Sequence, residues 1–170
     1  MLIRPAVPDD AWEVARVHVR AWQVAYRQLL PSDYLARLRP EERAQRYDFA
    51  NQDPLRPKTI VAVAHGAVRG FATTAPARDS DAGDCAELRA LYVDPDWWGC
   101  GAGCALMTAA RQAMTELKYR HALLWLLAGN ERAARFYRID GWRADGTART
   151  DHIWGITVDE VRYRRPLGSG

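Results

Sequence analysis

Apolar residues recur at Ala11, Val14, Ala15, His18, Ala21, Trp22 and Ala25, the spacing of one helix face. Pro8-Asp9-Asp10 precedes them and reads as the helix start, with Asp9 or Asp10 as N-cap. Before it, residues 2–4 predict a short strand. Pro31-Ser32-Asp33 opens a second helix over 34–38, and Pro40-Glu41-Glu42 a third helical stretch reaching towards Ala50. The pattern then changes to short β-rich runs. Residues 59–64 and 67–74 predict a hairpin turned by His65-Gly66. Residues 85–93 form the next strand, ended by Asp94-Pro95. A glycine-rich turn at 99–103 leads into an alanine-rich helix from about 104 to 118. Residues 121–127 predict a buried strand, and Gly129-Asn130-Glu131 starts a helix running to about Ile139, with Gly141 at its end. Residues 142–148 and 156–164 read as a final strand pair. The order predicts one α/β domain over 1–166 with a short tail at 167–170.

Composition narrows the function classes. The chain has 170 residues, 48% hydrophobic and 26% charged, an ordinary globular balance. A net charge of +3, from 24 basic and 21 acidic side chains, does not argue for nucleic acid as partner. Arg162 and Arg164 alternate onto one face, expected to be a solvated edge strand. The loop at 76–84 carries Asp79, Asp81 and Asp84. It is expected to be solvated, with the capacity to attract a cationic amine. The apolar run at 122–128 is too short to span a membrane, so no membrane association is expected. The start MLIRPAVPDD turns polar too soon for a signal peptide. Three cysteines without a framework imply a reducing, cytoplasmic setting. Cys100 and Cys104 lack the companions a zinc site needs, so no metal is expected.

The sharpest chemical signal is a strand, then Trp98-Gly99-Cys100-Gly101-Ala102-Gly103, then a helix. Glycines let the backbone approach a ligand, and the helix start offers unpaired N–H groups. Together they suit a phosphate. The G-x-G-x-G spacing is not the Rossmann fingerprint, and the Gly-Lys-Ser/Thr of a P-loop is absent. Taken alone, the glycines could also be purely structural.

The run Leu91-Tyr92-Val93-Asp94-Pro95-Asp96-Trp97-Trp98-Gly99-Cys100-Gly101-Ala102-Gly103 resembles the central motif of the GCN5-related N-acetyltransferase (GNAT) superfamily. Asn130-Glu131-Arg132-Ala133-Ala134-Arg135-Phe136-Tyr137, followed by Gly141-Trp142, resembles its second motif. The resemblance implies a mixed, twisted sheet splayed between its fourth and fifth strands and flanked by helices. It implies acetyl-CoA as co-substrate. Pantetheine would pair with backbone around Leu91, Tyr92 and Val93, pyrophosphate would rest on the turn Trp98, Gly99, Cys100, Gly101, Ala102 and Gly103, and Asn130 would touch the cofactor. Two departures stand out: Trp98 and Cys100 occupy positions where the family often carries Gln or a basic residue.

The same resemblance implies acetyl transfer to a primary amine, most simply of a small molecule, in a ternary complex. A protein N-terminus or lysine as acceptor, or a non-catalytic acyl-CoA-binding module, stay open. Tyr137 matches the family's tyrosine that protonates the leaving thiolate; by position alone it is a packed aromatic. Glu87 is a candidate base, or a partner for Arg89. Strand alternation places Glu87, Arg89, Leu91 and Val93 on one face. Asn130 is equally a helix N-cap. Candidates for the acceptor side are Trp22, Tyr26 and Tyr34 from the first helices, and Asp151, His152 and Trp154 from a loop between the last strands. A homodimer is also open.

Overall fold

The computed structural model describes residues 1–51 and 53–168. Among the described residues, five α-helices flank a seven-stranded sheet of order β1-β2-β3-β4-β5-β7-β6. The strands are β1 Leu2–Pro5, β2 Lys58–Ala64, β3 Ala67–Pro76, β4 Cys85–Val93, β5 His121–Leu127, β6 Arg143–Ile153 and β7 Ile156–Pro166. The helices are α1 Ala11–Ala25, α2 Ser32–Arg37, α3 Pro40–Ala44, α4 Ala102–Glu116 and α5 Glu131–Ile139. This is the mixed α/β architecture expected, with β4 and β5 as its parallel pair. Of the expected tail, Leu167 is buried and donates its N–H to the Arg120 carbonyl. Residues 169–170 lie outside the described residues.

Several boundaries differ from the sequence reading, each for a physical reason. Helix α3 ends at Ala44 rather than near Ala50. Tyr47 and Phe49 both pack into the cluster around Phe71, and residues two apart cannot share one helix face. Helix α4 starts at Ala102, so the last two residues of the expected turn already belong to it. Strands β6 and β7 run on to a tight turn at Trp154-Gly155, both in the left-handed region at φ 49° and 78°. Asp10 stands at the start of α1, but its carboxylate turns back to accept the Val7 N–H at 2.8 Å and to bind Arg4 at 2.6 Å.

The most consequential difference lies in β4. Thr73 pairs with Ala90 and Thr74 with Leu88, leaving Arg89 as the extra residue of a β-bulge. The bulge reverses the alternation. Ala86 and Leu88 before it, and Leu91 and Val93 after it, face the α4 core. Glu87, paired with Leu123 of β5, therefore faces the α1 side, as do Ala90 and Tyr92 beyond the bulge. The expected single face for Glu87, Leu91 and Val93 is thus divided. Below the bulge β4 pairs with β5 at Cys85↔His121, Ala86↔Ala122 and Glu87↔Leu123. Above it the strands part.

Helix α4 packs closely because Gly70 of β3 has no side chain; a Cβ there would sit 2.9 Å from the Tyr92 carbonyl oxygen and 3.0 Å from Leu106. On the other face α1 is tied down by the buried carboxylate of Asp94, which accepts from Arg16 at 3.2 Å and Arg20 at 2.9 Å. Strand β7 is interior, between β5 and β6, not a solvated edge. Its Arg162 is buried, only 3% exposed, and holds Asp81 and Asp145 at 2.6 and 2.8 Å and Asp79 at 3.3 Å. Two acids of the 76–84 loop are thereby committed to the fold rather than left free for an amine.

This network sets an expected stability change. Arg162→Ala leaves clustered carboxylates without their cation and should lower urea-unfolding stability by about 3 kcal/mol. Arg162 holds the Asp81 carboxyl down at about 2. A depressed carboxylate contributes stability above its unfolded pKa and loses it as pH falls through the folded one. Acid titration of the folded protein should therefore weaken this tether between about pH 4 and pH 2.

Candidate active site

A cleft of about 1170 Å³ opens where β4 and β5 part. One end is the glycine turn and the starts of α4 and α5; the other is enclosed by α1, the segment after α2 and the β6–β7 hairpin.

At the first end, the Asp94 N–H donates to the Arg69 carbonyl of β3. In an antiparallel ladder bonded and non-bonded pairs alternate, so Leu91 and Val93, opposite Ala72 and Gly70, turn their amide groups away from β3. They face the gap that β5 has left. The Val93 carbonyl accepts the Trp98 indole N–H at 2.9 Å. Gly101, at φ 83°, is the N-cap of α4 and offers no side-chain cap. The first N–H groups of α4, at Ala102, Gly103 and Cys104, are therefore available donors. The Arg132 guanidinium, from the first turn of α5, stacks 3.3 Å from the centre of the Trp98 ring. A cation from another helix is thus brought to the turn that Trp98 opens. Cys100 and Cys104 are free and exposed.

Between the two ends stand the candidates for chemistry. Tyr137 is buried on α5 against Phe136 and Trp142 and lines the cleft. Burial, and then the neighbouring Tyr92, push its hydroxyl far above the usual phenol range. Its hydroxyl has no hydrogen-bond partner among the described residues. Asn130 does cap α5, its side-chain oxygen accepting the Ala133 N–H at 3.2 Å, and it also lines the cleft. Glu87 lines the cleft and accepts from Arg89 Nε at 3.3 Å, so the ion pair is made. Burial outweighs it: the Glu87 carboxyl is raised, with Arg89 opposing.

At the far end Trp22, Tyr26 and Trp154 line the cleft, with the Tyr26 and Tyr92 hydroxyls 3.4 Å apart. Tyr34 supports rather than lines it, donating to the Trp154 carbonyl at 2.6 Å and so bracing the left-handed turn. His152 is on β6, not in a loop; it is exposed and contacts Thr157 at 3.3 Å, away from the cleft. Asp151 lines the cleft but pairs with Arg149 at 3.2 Å.

Sequence reading passed over Arg43, Glu160 and His18, which border the same space. Glu160 alternates with Val158 and Arg162 on β7, so a period-two reading of that strand would have raised it. Arg43 and the Trp98–Arg132 stack join distant segments and leave no local signature. Among the described residues no group of three or more His, Cys, Asp or Glu could hold a metal ion, and no helix is long and apolar enough to cross a membrane.

Comparison with known proteins agrees with this fold. The profile of the acetyltransferase (GNAT) family matches residues 22–142. The uncharacterized N-acetyltransferase YuaI of Bacillus subtilis is 27% identical over 128 residues, covering 75% of this chain and 72% of YuaI. The fold matches the PaiA N-acetyltransferase of Thermoplasma acidophilum in complex with coenzyme A, with TM-score 0.77, 18% identity, and coverage of 97% of this chain and 98% of that one. It also matches yncA of Salmonella typhimurium with acetyl-CoA, with TM-score 0.72, 18% identity, and coverage of 100% and 95%.

The balance at Glu87 is measurable. Carboxyl-detected NMR titration should place Glu87 above the ordinary glutamate value, and Arg89→Gln should raise it further because the opposing cation is gone. A value below the ordinary one would mean that the ion pair governs.

Proposed function

Since the chain belongs to the acetyltransferase (GNAT) family, we propose that it transfers the acetyl group of acetyl-CoA to a primary amine of a small molecule, by direct attack within a ternary complex. The observation that carries this reading is the convergence of three features on one cleft: the unpaired amide edge at Leu91 and Val93, the donor-rich start of α4, and the Tyr137 hydroxyl. The edge suits the amides of a pantetheine arm, Tyr92 between them facing the acceptor side. The turn from Trp98 to Gly103 suits pyrophosphate through backbone donors, with Arg132 supplying the charge that Trp98 and Cys100 do not.

An alkyl ammonium, with pKa near 10.4, is neutral only about one part in a thousand at pH 7, a deficit of roughly 4–5 kcal/mol. Its proton passes to a base, for which the raised carboxyl of Glu87 is the candidate, directly or through water. The freed nitrogen lone pair forms the C–N bond at the thioester carbonyl, the C–S bond breaks, and the second proton that the nitrogen loses as the amide forms passes through water to replace the one Tyr137 gives up. Tyr137 stays protonated at neutral pH and gives its proton to the departing thiolate. Exposed free thiols at Cys100 and Cys104 suit a reducing, cytoplasmic setting.

Calorimetry should show binding of acetyl-CoA and not of ATP or NAD, and thiol release should depend on an added amine. Tyr137→Phe should lower turnover by about 10²–10⁴-fold with acetyl-CoA affinity kept. Unchanged turnover removes Tyr137 from the mechanism; binding without any amine-dependent release favours a non-catalytic acyl-CoA module. In a separate measurement, Arg132→Ala should weaken acetyl-CoA about 10-fold, the scale of one charge-assisted contact, and added Cys100→Arg should restore part of that loss.

A further inference from the structure

We propose that the acceptor carries an oxyanion close to its reacting amine, as an amino acid does, and that Arg43 receives that oxyanion. This deepens the acetyltransferase reading above and rests on it.

Arg43 lines the cleft and is half-buried. A guanidinium withdrawn from water ordinarily meets a carboxylate. The other half-buried arginines that line the cleft do: Arg149 holds Glu160 at 2.8 Å and Arg89 holds Glu87 at 3.3 Å. No Asp or Glu of the described residues lies within 4.0 Å of Arg43. Its surroundings are neutral. Its Nε donates to His18 Nδ1 at 3.3 Å, and its charge stands 4.8 Å from the Trp154 ring centre and 5.7 Å from that of Tyr47. His18 is kept uncharged by burial and by Arg43 itself.

The His18 ring gives Arg43 no charge to pair with. Its Nδ1 takes the Arg43 Nε–H at 3.3 Å and lies 2.7 Å from the Tyr47 hydroxyl; since arginine can only donate, Nδ1 accepts and the ring proton sits on Nε2. That Nε2–H is buried without an acceptor, on a histidine 4% exposed that lines the cleft. The wall therefore holds a half-buried cation that rests on a neutral ring, with no carboxylate of the described residues within 4.0 Å of it.

The complementary charge is nearby. Glu160 is 7% exposed and lines the same cleft. Arg43, Glu160, Tyr92 and Tyr137 all line one cleft, so both charges border the chamber that holds Tyr137. Glu160 is already held by Arg149 at 2.8 Å, so of the two it is Arg43 whose charge is left for the acceptor to answer. A polycationic acceptor would meet Arg43 with nothing between. The planar fork of an arginine favours a carboxylate or a similar oxyanion.

The test uses the full chain with acetyl-CoA and a panel of common amino acids, each beside its primary amide and its decarboxylated amine, together with an amidated tripeptide. Thiol release gives kcat/KM. Calorimetry on the coenzyme A-loaded protein compares N-acetyl amino acids with their amides and needs no turnover. At least one amino acid should exceed both its amide and its amine by about 10-fold or more. Arg43→Gln should collapse that preference, and Arg43→Lys should retain part of it. Equal or better use of amides, plain amines or the tripeptide overturns the proposal, as does a preference that survives Arg43→Gln. If coenzyme A binds and no carboxylate-bearing ligand binds or reacts, this inference fails alone; if coenzyme A does not bind, the acetyl-transfer reading fails with it.

Discussion

Strands β4 and β5 share pairing at three positions, from Cys85↔His121 to Glu87↔Leu123, and then separate. The rest of the site follows from that limit. A continuous parallel ladder would have answered the amides of Leu91 and Val93 and left no room between the halves of the sheet. The extra residue at Arg89 bends β4 away just past the last pair and turns Glu87 to the face opposite Leu91 and Val93. One backbone irregularity thus opens the cleft and separates the strand's roles: amide edge above, carboxylate below.

Local signals were legible in the sequence. Residues 85–93 and 121–127 were read to the residue, because apolar runs were bounded by Asp-Pro, Gly and Asn. The glycine turn and Asn130 were read for the same reason. The bulge was not, since Arg89 offers no turn chemistry and the extra residue is defined only against β3. Nor was the burial of Arg162, whose carboxylates lie 17, 81 and 83 positions away in the chain. His152 was misplaced because Arg149-Thr150-Asp151-His152 resembles a polar loop, while β6 extends as an exposed edge strand with little apolar content.

Charge is distributed with economy across the molecule. Asp94 joins the turn before the glycines to α1 through Arg16 and Arg20, so the floor of one end of the cleft and the wall of the other share a single buried carboxylate. Arg149 links Glu160 to Asp151 and lies 4.0 Å from the Trp125 ring centre. These arginines hold elements in place. Arg43 and Arg132 differ in kind, each resting on an aromatic ring with its charge unmatched by a carboxylate of the described residues.

The parting of β4 from β5 gives the sheet two further edges in its middle, that of β4 among them. An unpaired strand edge invites β-addition by any neighbouring chain, and proteins guard their outer edges with charge, short strands or covering elements. Here the guard is confinement. The Trp98 indole already occupies the Val93 carbonyl, and α5 and the β6–β7 hairpin wall the remaining groups. A polypeptide strand needs room for side chains on both faces of the sheet, whereas an unbranched chain strung with amides needs none, so the confinement that guards this edge also filters the shape of a partner that pairs there.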